Sequence, residues 1–206
     1  MLLVRGIYAA KQWFGRVLSP VTRFSVSLGL SPNLFTFIGV GGGVVAGIGV
    51  FRLQAWLVLL GVVIRLAGAN LDGAVARARN VTSRRGFWMN ELGDRLADFA
   101  VFAGFFCLAG TRVGTWASLF QLAAMLLAAV PTLVSIWGHS QGVQRLNGGP
   151  FGKSERAFGA AIVVLLIQLG TPMPLTLESW AALVIFGSLV TAEVRARKIS
   201  RELNRL

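Results

Sequence analysis

The sequence has 206 residues, of which 55% are hydrophobic and 14% charged, against about 25% charged residues in an average soluble domain. Together with a mean hydropathy of +0.69, this composition excludes an ordinary water-soluble domain. The formal net charge of +12 raises nucleic-acid binding, but the basic residues cluster between apolar runs, where membrane anchoring accounts for them.

The chain opens on Arg5, Lys11 and Arg16 interleaved with Val4, Ile7, Trp13, Phe14, Val17 and Leu18. It has no uninterrupted apolar core and no small-residue cleavage site, so a signal peptide is excluded. The pattern predicts an amphipathic helix over 1–19 lying in the headgroup layer. Apolar runs then predict membrane helices near 33–51, 54–76, 88–110, 116–138, 156–171 and 178–194. At about 20 residues each, six spans use most of the chain. The expectation is an all-α, polytopic membrane bundle forming one domain over 1–206, with the spans in 33–194 and a basic tail over 195–206.

Gly39, Gly43 and Gly47 lie on one face of the first span, where another helix can approach closely. Asp72 ends the second span, and Asp94 and Asp98 begin the third. Cys107, the single cysteine, lies in the third span and excludes an intrachain disulfide or a cysteine zinc cluster. Pro131 interrupts the fourth span, where neighbouring groups must satisfy the freed carbonyl. His139 ends that span and reads as an interface residue.

The basic residues sort by side. Sixteen of the 20 lie at the N-terminus, in the second-to-third and fourth-to-fifth connections, and at the C-terminus. Only Arg52 and Arg112 lie opposite, while Arg65 and Arg95 fall within spans. Basic loops stay on the cytoplasmic side, so both termini are expected there and the number of spans is even.

Of eight acidic residues, Asp72, Glu91, Asp94 and Asp98 gather at one membrane depth. Carboxylates in a span are costly and usually face a polar cavity. Asp94 and Asp98 share a helix face, and the short connection brings Asp72 close to them. The structural alternative pairs them with Arg65, Arg77 and Arg95. Clustered carboxylates suit Mg²⁺ or Mn²⁺. A cation on a pyrophosphate stabilises the leaving group, and a free carboxylate takes the proton of an attacking alcohol. The residues thus point to metal-assisted phosphoryl-group transfer at the membrane surface, without naming the substrate.

Asp72-Gly73-Ala74-Val75-Ala76-Arg77, then Gly86, Asn90 and Asp94, resembles the CDP-alcohol phosphatidyltransferase signature D-x2-D-G-x2-A-R-x8-G-x3-D-x3-D with every spacing kept. Ser31-Pro32-Asn33-Leu34-Phe35-Thr36 is similar to the family's entry into its first span. The resemblance implies transfer of a phosphatidyl group from CDP-diacylglycerol or another CDP-alcohol to an alcohol, with release of CMP, in a homodimer of the cytoplasmic membrane. It implies Asp94 as general base and Asp72 as metal ligand. Metal would also be met by Asp94, Asn90 and Asp98. Asn33, Thr36, Gly73, Ala76, Arg77 and Gly86 would form the nucleotide pocket, Gly73 by letting a ligand reach the backbone.

The signature is broken twice: Ala69 stands at its first Asp and Asn90 at its third. Alanine cannot ligate, and asparagine offers one neutral oxygen, so a one-metal variant is expected. Asn70, Glu91 and Asp98 are candidate substitutes, the first two pointing about 100° away from the motif positions. In the stretch 147–156, glycines and Pro150 make a turn. Lys153 and Arg156, with Arg145, would meet phosphates or an anionic acceptor, or serve as cytoplasmic anchors. Three rivals stand beside this reading: a degenerate family member that binds CDP-lipid or a partner enzyme, an intramembrane aspartyl protease, and a cation or proton transporter. The protease needs no glycine pattern, and the transporter would hold its carboxylates at the midplane.

Overall fold

The computed structural model describes residues 14–146 and 148–204, and its regular structure there is entirely helical. After a helical turn at 14–17 come α1 (Ser19–Ser27), α2 (Pro32–Phe51), α3 (Ala55–Ala78), α4 (Arg84–Arg112), α5 (Thr115–Ser140), α6 (Lys153–Gln168) and α7 (Met173–Leu203). Most of the interfacial helix expected over 1–19 lies outside the described residues.

Among the described helices, α2, α3, α5 and α7 are long and apolar enough to cross a membrane. The other two expected spans differ for physical reasons. α4 has 29 residues but carries Glu91, Asp94, Arg95 and Asp98 in its first half. α6 has 16 residues, short of the ~20 that a perpendicular span needs. The residues expected as a basic tail instead continue α7 to Leu203. No Gly or Pro interrupts Ala192–Leu203, and Ala, Arg, Lys, Glu and Leu all favour helix.

The packing divides the chain into two units. The first comprises the residues up to Gly42 together with Val63–Ala97. Its core joins Phe35, Leu71 and Val75, against which Leu18, Val26 and Leu30 pack. α2 and α3 meet without side chains between them. A Cβ on Gly68 would lie 2.5 Å from the Phe35 carbonyl oxygen and 2.7 Å from Gly39 Cα. This realises one part of the expected glycine face. Arg79, just beyond α3, donates to the carbonyls of Gly29 and Leu30 at 2.9 and 2.6 Å, which fixes the turn leading into α2.

The second unit comprises Gly43–Val62 and Asp98 onward. A Cβ on Gly104 would lie 3.0 Å from Gly47 Cα, so α2 and α4 also touch backbone to backbone here. α5 and α7 form the main helix pair of this unit. Gln121 Nε2 donates to the Leu177 carbonyl at 2.7 Å, and Ile199 packs on Gly138. Pro131 stays inside α5, and its carbonyl accepts a 2.7 Å bond from buried Arg195.

Candidate functional site

The acidic pocket lies wholly within the first unit. Thr36 and Gly39 from α2, Arg65, Ala69 and Asp72 from α3, and Asn90, Gly93, Asp94 and Ala97 from α4 line it. Helical spacing explains the choice. On α3, Arg65, Ala69 and Asp72 recur every three or four residues, and Asn90, Asp94 and Ala97 do the same on α4. Gly93 lets the helices close around the pocket, since a Cβ there would stand 2.5 Å from Thr36 Cγ2. The empty space is about 190 Å³, part of it open to solvent.

Asp72 and Asp94 are 5% and 6% exposed, so their charges are held largely out of bulk water. Asp72 Oδ2 accepts the Thr36 hydroxyl at 3.0 Å, and its Oδ1 accepts the Gly73 amide. Donors of this kind hold a carboxylate in one orientation. Arg65, 3% exposed, brings a positive charge to the same pocket.

The donor set fits a hard divalent cation. Mg²⁺ is commonly held by one or two carboxylates and completes its shell with water and substrate phosphates. Asp72 and Asp94 supply the carboxylates, and Asn90 brings an amide carbonyl to the same wall. Among the described residues, no three His, Cys, Asp or Glu side chains form a metal-holding group. Ala69 lines the pocket as well, so both broken motif positions face the space that the motif carboxylates would share.

The remaining expected site residues fall elsewhere. Arg77, exposed, folds back until its Nη1 lies 3.0 Å from where a Gly73 Cβ would be. Gly73 and Ala76 are half-buried and Asn33 is exposed, none of them on the pocket wall. Gly86 is the third residue of α4, and its amide donates to the capping Ser83 hydroxyl at 3.0 Å. Asn70 turns back to the Leu66 carbonyl at 2.6 Å, and buried Glu91 lies off the pocket wall.

Asp98 belongs to the second unit, where its Oδ2 accepts Arg156 Nη2 at 3.4 Å, both side chains being 5% exposed. Arg156 is therefore a buried, paired residue and not a solvated anchor. Lys153 and Arg145 are half-buried nearby in the chain, and exposed His139 turns Nδ1 toward the Val143 carbonyl at 3.3 Å. Sequence reading left two further arginines out of the site. Arg65 faces the pocket, and Arg195 Nε holds the Gly148 carbonyl at 3.0 Å. An arginine within or at the end of an apolar run was the available signal for both.

Comparison with known proteins extends beyond this geometry. A family model described as CDP-alcohol phosphatidyltransferase matches residues 29–193. The phosphatidylinositol phosphate synthase of Streptomyces avermitilis is 33% identical, across 94% of this chain and 82% of that one. That of Mycobacteroides abscessus is 29% identical, across 92% and 86%. Among solved structures, phosphatidylinositol phosphate synthase of Mycobacterium tuberculosis with CDP-DAG bound superposes with a TM-score of 0.71. It shares 24% identity, over 89% of this chain and 94% of that one. The same enzyme in complex with manganese and citrate gives 0.68 at 23% identity, over 87% of each chain.

Proposed function

The chain belongs to the CDP-alcohol phosphatidyltransferase family, and we propose that it moves a phosphatidyl group from CDP-diacylglycerol to an anionic alcohol and releases CMP. The observation that carries this reading is the convergence of buried Asp72 and Asp94 with Asn90 on one pocket. In the proposed reaction the acceptor hydroxyl oxygen attacks the lipid-side phosphorus. A new phosphorus–oxygen bond forms as the bond to the bridging oxygen breaks, and CMP leaves with that electron pair. Asp94 takes the hydroxyl proton. Thr36 keeps Asp72 oriented, and Arg65 balances the two carboxylates. Asp72 and Asp94, with the Asn90 carbonyl, would hold Mg²⁺ or Mn²⁺, which would neutralise charge on the pyrophosphate. One cation suits a site with two carboxylates.

Gly73, Ala76, Arg77, Gly86 and Asn33 are assigned to the nucleotide end of the donor, where small residues admit its approach to the backbone. Arg156, with Lys153 and Arg145, is assigned to the acceptor. The similarity to phosphatidylinositol phosphate synthases makes inositol phosphate the first acceptor to try. Both termini and the reaction are assigned to the cytoplasmic face of a bacterial membrane, a reading the basic clustering supports, and a homodimer is the proposed assembly. Ala69 and Asn90 favour one second reading, a member that binds CDP-lipid without turnover.

Lipid analysis of membranes overexpressing the chain tests the proposal. A new phosphodiester lipid, absent when Asp94→Asn is expressed equally, is the expected result. The same lipid profile from both strains would overturn it.

A further inference from the structure

Phe151, in the loop before α6, is held at both of its backbone polar groups. Its amide donates to Thr191 Oγ1 at 3.1 Å. Its carbonyl accepts Arg156 Nη1 at 3.4 Å and lies 3.3 Å from Thr191 Oγ1. The Thr191 proton has a closer acceptor in the Gly187 carbonyl at 2.7 Å. Bonding back to the carbonyl four residues earlier is ordinary for a helical threonine. It leaves the hydroxyl oxygen directed at a different segment, the loop.

The Phe151 ring is seated as firmly as its backbone. It rests on Gly187, where a Cβ would lie 2.6 Å from the ring, and meets Trp180 edge-on at 6.3 Å. The Phe151 carbonyl and Asp98 then hold two different nitrogens of one guanidinium. A planar fork held at two nitrogens has its plane fixed.

We propose that Thr191 is a positioning residue that acts through Phe151 to set the orientation of the Arg156 guanidinium for an anionic, phosphate-bearing acceptor. This rests on the assignment of Arg156 to the acceptor. A phosphate met by a guanidinium already in place need not offset the ordering of that side chain.

The test uses the full chain in phosphatidylcholine nanodiscs, with inositol phosphate and CDP-diacylglycerol as probes. Equilibrium binding and hydrogen exchange at the Phe151 amide are read for Thr191→Val, Thr191→Ser and Arg156→Ala. Thr191→Val is expected to bind inositol phosphate about tenfold more weakly and to exchange the Phe151 amide faster. Thr191→Ser, which keeps the hydroxyl, should restore both, with CDP-diacylglycerol binding within about twofold throughout. Unchanged inositol phosphate binding by Thr191→Val, or an equal loss for the two probes, would overturn the inference. If Arg156→Ala alone loses the acceptor, the inference fails and the assignment of Arg156 survives. If the natural chain binds no inositol phosphate, or Arg156→Ala binds it equally well, the assignment fails and the inference falls with it.

Discussion

Thr36 donates its hydroxyl proton from α2 to Asp72 Oδ2 on α3 at 3.0 Å, so the carboxylate assigned to the metal is oriented by a neighbouring helix. Thr36→Val keeps the shape and removes the donor. Losing a hydrogen bond to a charged group costs about 1.5–3 kcal/mol. The variant should need more Mn²⁺ for half-maximal CMP release, while Thr36→Ser stays near the natural value. A titration of activity against Mn²⁺ checks this.

Ala69 and Asn90 line the same pocket as Asp72 and Asp94, which allows the missing charges to be put back. Asn90→Asp adds an anionic ligand where a neutral carbonyl stands, and Ala69→Asp adds one where none exists. Each should tighten Mn²⁺ binding measured by calorimetry, by about tenfold for a gain of about 1.4 kcal/mol. Weaker binding by Asn90→Asp would mean that this wall does not face the cation.

Gly68 meets Gly39 and the Phe35 carbonyl without room for a methyl group. Gly68→Ala must push α2 and α3 apart, and overpacking of this kind costs about 1–3 kcal/mol. A lower thermal transition in detergent is expected, with activity lost in parallel because Thr36 and Asp72 sit on the separated helices.

Asp98 and Arg156 form a buried pair at 3.4 Å. Removing one partner of such a pair is expected to cost about 3–5 kcal/mol, because the other charge stays buried. Asp98→Ala should therefore unfold at a lower temperature than Asp98→Ala combined with Arg156→Leu. Thermal melts of the two proteins provide the comparison.

The pocket was legible in the sequence because it is built from spacing within helices. The interval from Asp72 to Asp94 predicts convergence, and Asn90 one turn before Asp94 lands on the same wall. Asn70, one position past Ala69, turns its amide to the Leu66 carbonyl. The pairing of Asp98 was not legible: its partner lies 58 positions away, and no local period announces it. Arg195 read as one charge in a basic tail because its role depends on the carbonyls of Gly148 and Pro131. Span number was harder for a similar reason, since the charges of α4 hide in an otherwise apolar run and α6 is short.

The most direct measurement is CMP release from CDP-diacylglycerol by purified protein with Mn²⁺ and inositol phosphate, glycerol phosphate, serine or glycerol as acceptor. The natural chain should release CMP with an anionic acceptor, and Asp72→Asn and Asp94→Asn should each fall to the protein-free background. Release by both variants at the natural rate would contradict the assigned chemistry, and CDP-diacylglycerol binding with no release for any acceptor would contradict transfer itself.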